Sequence, residues 1–272
     1  MQIEELFNEI VAEVIPNFDE FLVNRLMSYG NDELSRMAIY SIGGGKRIRP
    51  LILALVNRSL GQKEDVMNAG FSIELMHSLS LIHDDVIDKE VSRRGNPPFY
   101  KTYGIDSSLL ITDYIFGVVI DLINQYRRPE LIDVLARTSI SMSVGEFKEL
   151  SLFREDRAVS LQEYMDVIIN KTASLFGAAA KLGALLSALP SFAEPAYEFG
   201  ESLGIIYQIK DDMKDKGKVF NELINRLDSE DQMALEEVLR SHYRRAMSRL
   251  ETFPNNKYRT TLENITSTIY KA

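Results

Sequence analysis

Apolar residues recur at helical spacing along almost the whole chain, while the alternation that is typical of β-strands is almost absent. Residues 3–15, IEELFNEIVAEVI, place their apolar side chains on one helical face, and residues 131–150 and 161–189 follow the same pattern. Turns that contain glycine or proline separate these runs, and no long linker interrupts the chain. The pattern predicts an all-α bundle of roughly ten helices, with residues 1–272 in one single domain.

Charge and composition exclude several classes of function. The net charge of −9 is opposite to the basic footprint of general nucleic-acid binding. The absence of cysteine excludes disulfides, thiolate catalysis and zinc–sulfur sites. The N-terminal region is acidic and lacks the order of a signal peptide, and the most apolar stretch, residues 173–190, is interrupted by charge and too short to span a bilayer. We therefore expect a soluble, cytoplasmic protein.

Two aspartate clusters share one spacing and each follows a mainly apolar helix. Their members are Asp84, Asp85 and Asp88 in the first cluster, and Asp211, Asp212 and Asp215 in the second. A single cluster is explained equally well by a solvated helix face. Two copies favour a binding site, because like charges at this spacing cost an isolated helix about 0.2–0.5 kcal/mol per pair. Carboxylates alone favour Mg²⁺, or Mn²⁺, completed by phosphate oxygens, so we expect a phosphorylated substrate.

Basic residues lie close to the first cluster in sequence. Residues 43–50, GGGKRIRP, combine three glycines, which allow close approach of a ligand, with the cations Lys46, Arg47 and Arg49 at the start of a predicted helix. The segment lacks the spacing and the preceding strand of a P-loop. Read alone, it could also be a flexible basic turn. A second cationic pair follows the aspartates, at Arg93 and Arg94.

Other candidate residues have simpler alternative interpretations. His77 lies two helical turns before Asp84 on nearly the same face, so ligand contact and core packing are equally good explanations. For His83 we favour a structural role. Lys171 and Thr172 open a segment of small residues that suits a tightly packed interior helix, and Lys171 read alone would be an amphipathic lysine at a helix edge.

Together these motifs resemble the trans-type isoprenyl diphosphate synthase, or polyprenyl synthetase, family, of the geranylgeranyl/polyprenyl diphosphate synthase type. The matching motifs are GGGKRIRP, ELMHSLSLIHDDVIDKEVSRRG, NKTASLF and GIIYQIKDDMKD, from about residue 43 to residue 215. The resemblance implies the isoprenoid synthase fold, an all-α bundle around a deep central cavity, usually as a homodimer. It also implies a Mg²⁺-dependent prenyltransferase that condenses isopentenyl diphosphate with an allylic diphosphate and releases pyrophosphate.

The resemblance also implies roles for individual residues. The first cluster would bind Mg²⁺ that bridges to the allylic diphosphate, and the second would serve the metal on the opposite side, with Asp211 as the strongest candidate for a direct ligand. The implied catalytic residues are Asp84, Asp85, Asp88, Asp211, Asp212 and Lys171, and Asp215 completes the metal ligands. Those implied for isopentenyl diphosphate are Lys46, Arg49, His77 and Arg94. Those implied for the allylic substrate are Arg93, Lys171, Thr172 and Gln208.

Product length depends, in this family, on bulky residues just upstream of the first aspartate cluster. Leu79 and Ser80 occupy the positions where short-chain enzymes often place an aromatic residue. We therefore expect a linear all-trans product longer than farnesyl diphosphate, geranylgeranyl diphosphate or beyond. Met76, about one turn earlier, is a candidate for a deeper limit to the growing chain.

The sequence departs from the family pattern at three places. The loop that normally follows the second cluster is short, although Lys218 resembles a later family lysine and could supply a remaining phosphate contact. Thr112 replaces a glycine before Asp113, and Glu146 stands where a glutamine is usual.

Two other functions are compatible with parts of this pattern. The first is a non-catalytic subunit of a heteromeric prenyl synthase, although such subunits typically lose the aspartate clusters. The second is a terpene cyclase, which would carry a different second metal motif and lack GGKRxRP.

Overall fold

The computed structural model describes residues 3–155, 157–215 and 223–272, and these residues form helices joined by short turns. They contain isolated β-bridges and no β-strand. The prediction of an all-α fold is therefore confirmed. The chain forms two compact units, one comprising Met1–Leu51 and Val66–Ile132, the other comprising Ile52–Asp65 and Asp133–Ala272. That residues 1–272 act as one domain stays a prediction.

The first unit is organised around a long apolar helix, α5, against which α3, α6 and α7 pack. Its helices are α1 (Ile3–Val14), α2 (Phe18–Met27), α3 (Asp32–Ile42), the start of α4 (Ile48–Ser59), α5 (Met67–Ile87), α6 (Phe99–Tyr103) and α7 (Ile105–Asn124). Asn17, with a φ of 57°, separates α1 from α2, and Gly104, with a φ of 88°, separates α6 from α7. Such breaks make the helices more numerous than the ten predicted.

The second unit contains the remaining elements. They are the rest of α4, most of α8 (Pro129–Arg154), α9 (Leu161–Ile168), a π-helical turn (Ile169–Ala173), α10 (Ser174–Leu185), α11 (Ala193–Asp215), α12 (Ser229–Glu251) and α13 (Lys257–Lys271), with 3₁₀ turns at Pro190–Phe192 and Leu223–Arg226. Helix α11 packs against α10, α12, α13 and the π-helical turn.

Small residues allow α10 and α11 to pack with their backbones close together. A Cβ atom on Gly200 would lie 2.4 Å from the carbonyl oxygen of Phe176, and one on Gly204 would lie 2.7 Å from the Cα atom of Ala173. These distances exclude any side chain larger than hydrogen. The small residues that follow Lys171 therefore form a tightly packed interior helix, as predicted.

The hydropathy of the helices agrees with the expectation that residues 173–190 do not span a bilayer. Among the residues that the structure describes, every helix is too short or too polar to cross a membrane.

Candidate active site

The first aspartate cluster lies at the C-terminal end of α5, where its three carboxylates have different surroundings. Asp85 is buried, with 3% of its surface exposed, and its Oδ1 accepts from Arg93 Nε at 2.8 Å and lies 2.5 Å from Arg93 Nη2. Burial raises the pKa of Asp85, although the Arg93 guanidinium opposes this. Asp84 is partly buried and Asp88, the C-terminal cap, is exposed. Asp85 thus holds the Arg93 guanidinium against the C-terminal end of α5.

A tight turn connects the two arginines that follow the cluster. The Arg93 N–H donates to the Asn96 carbonyl at 2.8 Å and the Asn96 N–H donates to the Arg93 carbonyl at 3.0 Å. Between them, Arg94 and Gly95 have φ values of 54° and 80°, as in primed β-turns. The Arg94 Nη1 then donates to the carbonyls of Gly43, at 3.1 Å, and Gly44. The RRG turn and the glycine-rich segment therefore meet through one guanidinium.

Arg47 occupies the interior, so its expected place among the ligand-binding cations is wrong. Its guanidinium donates to Glu74 at 2.6 Å, to Asp19 at 2.8 Å and to the carbonyl of Ile42 at 2.8 Å. Only 7% of Arg47 is exposed, and its φ is 51°, which is unfavourable for a side chain of this size. Arg47 anchors the basic segment, leaving Lys46 exposed and Arg49 partly exposed on either side of it.

His77 lies in a strongly cationic environment. Burial lowers its pKa well below the usual range, and the nearby guanidinium groups lower it further. These groups belong to Arg49, Arg94, Arg47 and Arg93. A neutral imidazole with several arginines around it can hydrogen-bond to a phosphate without adding charge. Ligand contact and core packing both remain open for His77. His83, in contrast, is exposed.

A cavity of about 350 Å³ adjoins this part of the first unit. Its lining includes both glycines that accept from Arg94, both arginines of the RRG turn, and the α5 residues Ser78 and Asp85. Of the predicted chain-length residues, Met76 is buried, whereas Leu79 and Ser80 are partly buried. Their effect on product length stays a prediction.

In the second unit, Asp212 lies at the centre of a hydrogen-bond network. Its Oδ2 accepts from the Tyr164 hydroxyl at 2.6 Å and its Oδ1 accepts from Gln208 Nε2 at 2.6 Å. The Thr172 hydroxyl donates to Gln208 Oε1 at 2.9 Å. The structure thus brings together Thr172, Gln208 and Asp212, which we predicted from separate motifs. Burial raises the pKa of Asp212 to about 6, and the two hydrogen bonds oppose this rise.

The rest of the second cluster is described in part. Asp211 is exposed. Asp215 ends α11, and its side chain lies outside the described residues, as does the whole of Lys218. The predictions for these two side chains therefore stay predictions.

Lys171 lies in the π-helical turn and contacts two carboxylates of α8. Its Nζ is 2.7 Å from Glu146 Oε2, and it also donates to Glu149. A Cβ atom on Gly145 would lie 2.4 Å from the Lys171 backbone nitrogen. The glycine therefore allows α8 to approach the π-helical turn closely enough for these ion pairs to form.

The donor chemistry of the two clusters fits Mg²⁺ whose coordination is shared with a phosphorylated ligand. Within the described parts of the chain, no three histidine, aspartate or glutamate side chains are arranged to hold a metal ion by themselves. Mg²⁺ usually takes one or two carboxylates and completes its octahedron with water and phosphate oxygens. Asp84 with Asp88, one turn apart, and the exposed Asp211 can provide such partial sets.

Some residues of these networks carry no recognisable signal in the sequence. Tyr164 falls on the apolar face of α9, and nothing in the sequence marks its hydroxyl as the partner of Asp212. Likewise, Asp19 and Glu74 are distant in sequence from Arg47, with which they pair. Only the family comparison singled out Glu146, and it did not identify Lys171 as its partner.

Replacing Asp212 with asparagine should change how the stability of the metal-free protein depends on pH. The folded-state pKa of about 6 lies above the usual aspartate value. The carboxyl therefore makes its full contribution to the free energy of unfolding below about pH 4. This contribution, about 3 kcal/mol, is lost as the pH rises through about 6. In Asp212→Asn, which has no carboxyl at this position, the free energy of unfolding should not fall in this way as the pH rises. Urea unfolding with a chelator at several pH values would measure the difference, and parallel pH profiles for both proteins would contradict the assignment.

Comparison with known proteins agrees with the motifs. The sequence pattern of the polyprenyl synthetase family matches residues 31–222. The chain is 34% identical over 224 residues to geranylgeranyl diphosphate synthase of Sulfolobus acidocaldarius, covering 77% of this chain and 65% of that enzyme. It is 39% identical over 172 residues to geranylfarnesyl diphosphate synthase of Methanosarcina mazei, covering 62% of this chain and 57% of the enzyme. The chain thus spans less than two thirds of the length of either relative.

A solved structure supports the fold. The crystal structure of geranylgeranyl pyrophosphate synthetase from Pyrococcus horikoshii superposes with a TM-score of 0.84, over 100% of both chains, at 23% sequence identity. This similarity shows the isoprenoid synthase fold that the sequence motifs predicted.

Proposed function

Since this chain belongs to the polyprenyl synthetase family, we propose that it is a prenyltransferase that condenses isopentenyl diphosphate with an allylic diphosphate. The observation that carries the proposal is the family match over residues 31–222, which includes both aspartate clusters and every basic motif. The relatives are a geranylgeranyl and a geranylfarnesyl diphosphate synthase. We therefore propose a linear all-trans product longer than farnesyl diphosphate.

The proposed metal ligands are the carboxylates of the two clusters, with Mg²⁺, or Mn²⁺, as the ion. Asp88 and Asp211 are exposed, whereas Asp84 is partly buried, Asp85 is buried against Arg93 and Asp212 accepts from Tyr164 and Gln208. We retain Asp85, Asp212 and Asp215 as proposed members of the two sites. When bound, the metal would neutralise diphosphate charge and favour cleavage of the allylic C–O bond.

The proposed substrate contacts are mainly cationic side chains, together with groups that can form hydrogen bonds. In the first unit, the ligands of isopentenyl diphosphate would be Lys46, Arg49, His77 and Arg94. For the allylic diphosphate, the resemblance to the family implies Arg93, Lys171, Thr172 and Gln208, with Lys218 as a further phosphate contact. Such preorganised donors stabilise the charge that develops on departing pyrophosphate. The isopentenyl double bond forms the new C–C bond as the allylic C–O bond breaks, and loss of one proton restores an alkene.

Leu79→Phe should shorten the product. Leu79 lies on α5 five residues before Asp84, where the resemblance to the family implies the floor of the chain-elongation cavity, and its side chain is partly buried. We expect the main product to lose at least one isoprene unit. Mass spectrometry of the products from one allylic primer would show the shift, and Leu79→Met would serve as a control of similar volume. An unchanged product distribution for Leu79→Phe would reject this account of the floor.

We propose that the active form is a homodimer. Helix α7 exposes Ile105, Leu109 and Leu110 by 55%, 61% and 67%, and α8 exposes Ile140 and Phe147 by 66% and 67%. Several large apolar side chains on one helix are unusual on a free surface and typical of an interface. A second copy of the chain is the occupant that we propose, because a two-fold interface buries the same faces of both partners.

We also propose that the chain acts as one domain in the cytoplasm. One family pattern matches residues 31–222 as a single stretch, which supports the proposal of one domain.

Incubation with Mg²⁺, isopentenyl diphosphate and allylic diphosphates of several lengths tests the proposed function. We expect a linear prenyl diphosphate. A hydrocarbon would instead indicate a terpene cyclase. No product from the purified chain, together with product after addition of a partner chain, would indicate the subunit of a heteromeric synthase.

A further inference from the structure

Lys171 is held by more negative charge than one ammonium group needs. Its Nζ lies 2.7 Å from a Glu146 carboxylate oxygen and donates to Glu149 as well. The three side chains expose between 19% and 22% of their surfaces. Among these three side chains, two carboxylates contact a single ammonium group. Partial burial means that these charges are screened less than they would be in bulk water.

The backbone holds this arrangement in place. Lys171 lies in the π-helical turn Ile169–Ala173, where the wider turn alters the direction of the side chains around it. Gly145 places the backbone of α8 against the Lys171 nitrogen, at 2.4 Å from a hypothetical Cβ atom. Glu146 is the next residue and Glu149 follows one helical turn later, so both reach the same ammonium group.

Lys171 is also close enough to Asp212 to influence it. The positive charge of Lys171 lowers the pKa of the Asp212 carboxyl, while burial raises it. Lys171 therefore lies within electrostatic range of the second aspartate cluster. An anion that approaches Lys171 meets Glu146 and Glu149 at the same place.

We propose that Glu146 limits the affinity of this site for diphosphate by competing for Lys171. The inference rests on the proposed function, in which Lys171 contacts the allylic diphosphate. Because Glu149 also contacts the ammonium group, Lys171 keeps a carboxylate partner when Glu146 is neutralised. A diphosphate can pair with Lys171 only when one of the two carboxylates moves away from the ammonium group. The displaced carboxylate then repels the ligand. Glu146 is thus an affinity-determining residue rather than a catalytic one.

Glu146→Gln should strengthen diphosphate binding. We expect the dissociation constant of inorganic pyrophosphate, measured by calorimetry with Mg²⁺ at low salt, to fall by about tenfold. The gain should shrink as salt is added. In steady-state kinetics, the KM of the allylic substrate should fall more than that of isopentenyl diphosphate. A gain in affinity cannot result from misfolding.

Two comparisons isolate the cause. Glu130→Gln removes the same charge from the same helix, where Glu130 pairs with Arg128 at 2.8 Å, and should leave pyrophosphate affinity unchanged. In a Lys171→Gln background, Glu146→Gln should give a much smaller gain. An unchanged affinity in Glu146→Gln, an equal gain in Glu130→Gln, or a full gain without Lys171 would each overturn the inference. If wild type makes prenyl diphosphates while Glu146→Gln binds pyrophosphate no better, only this inference fails. If wild type makes none, the proposed function fails first.

Discussion

Asp84→Asn and Asp211→Asn should each lower the rate of prenyl transfer by two to three orders of magnitude or more, on the order of the loss when one electrostatic stabiliser is removed. Each substitution replaces an anionic oxygen with an amide of similar size, so the shape of the site is retained. The charge that would attract Mg²⁺ is lost, and with it the neutralisation of the leaving diphosphate. Initial rates with saturating substrates, over a range of Mg²⁺ concentrations, would measure the effect.

A matched control separates loss of function from loss of structure. Glu236 is exposed on α12 and belongs to neither cluster, and Glu236→Gln makes the same change from carboxylate to amide. It should retain full activity. All three variants should keep the helical content of wild type in circular dichroism. Near-normal turnover by a folded Asp84→Asn or Asp211→Asn protein would show that the metal assignment is wrong.

Glu74→Gln should destabilise the protein by about 3 kcal/mol, the lower end of the usual cost of breaking a buried ion pair, because Asp19 and the Ile42 carbonyl remain as partners of Arg47. The Glu74 and Arg47 side chains expose only 4% and 6% of their surfaces, and their closest charged atoms are 2.6 Å apart. Neither group can recover its hydration when the other is removed. Urea unfolding followed by circular dichroism would measure the change in the free energy of unfolding.

Asp19 provides the control for this prediction, because it binds the same guanidinium from the surface. The Asp19 side chain is 72% exposed and lies 2.8 Å from Arg47 Nε. Asp19→Asn should cost no more than about 1 kcal/mol, as for other exposed ion pairs. Equal losses in Glu74→Gln and Asp19→Asn would contradict the view that burial makes the Glu74 pair important.

The helical fold was predictable because its determinants are local. Apolar spacing marks each long helix, and the glycines and alanines of 173–188 indicate an interior helix before its neighbours are known. The number of helices was harder to predict, because short breaks such as the one at Pro16 and Asn17 divide a continuous apolar pattern into two helices. The division into two compact units depends on long-range packing and has no counterpart in the sequence pattern.

The candidate site was predictable where the chemistry lies in short motifs and not where it depends on tertiary pairing. The shared spacing of the two clusters was enough to mark them as candidates, and the family resemblance then singled out Asp211 within the second cluster. The burial of Arg47, by contrast, depends on partners 28 and 27 residues away. Adjacent basic residues look equivalent in a sequence, yet Lys46 is exposed and Arg47 is an internal anchor.

The most direct test of the central claim is the release of pyrophosphate under conditions that omit one component at a time. With Mg²⁺, isopentenyl diphosphate and an allylic diphosphate all present, we predict one pyrophosphate for each isopentenyl unit that is incorporated into product. Omission of either substrate or of the metal should abolish release. Release from the allylic diphosphate alone, at a rate that isopentenyl diphosphate does not change, would contradict the proposal that this protein joins the two substrates.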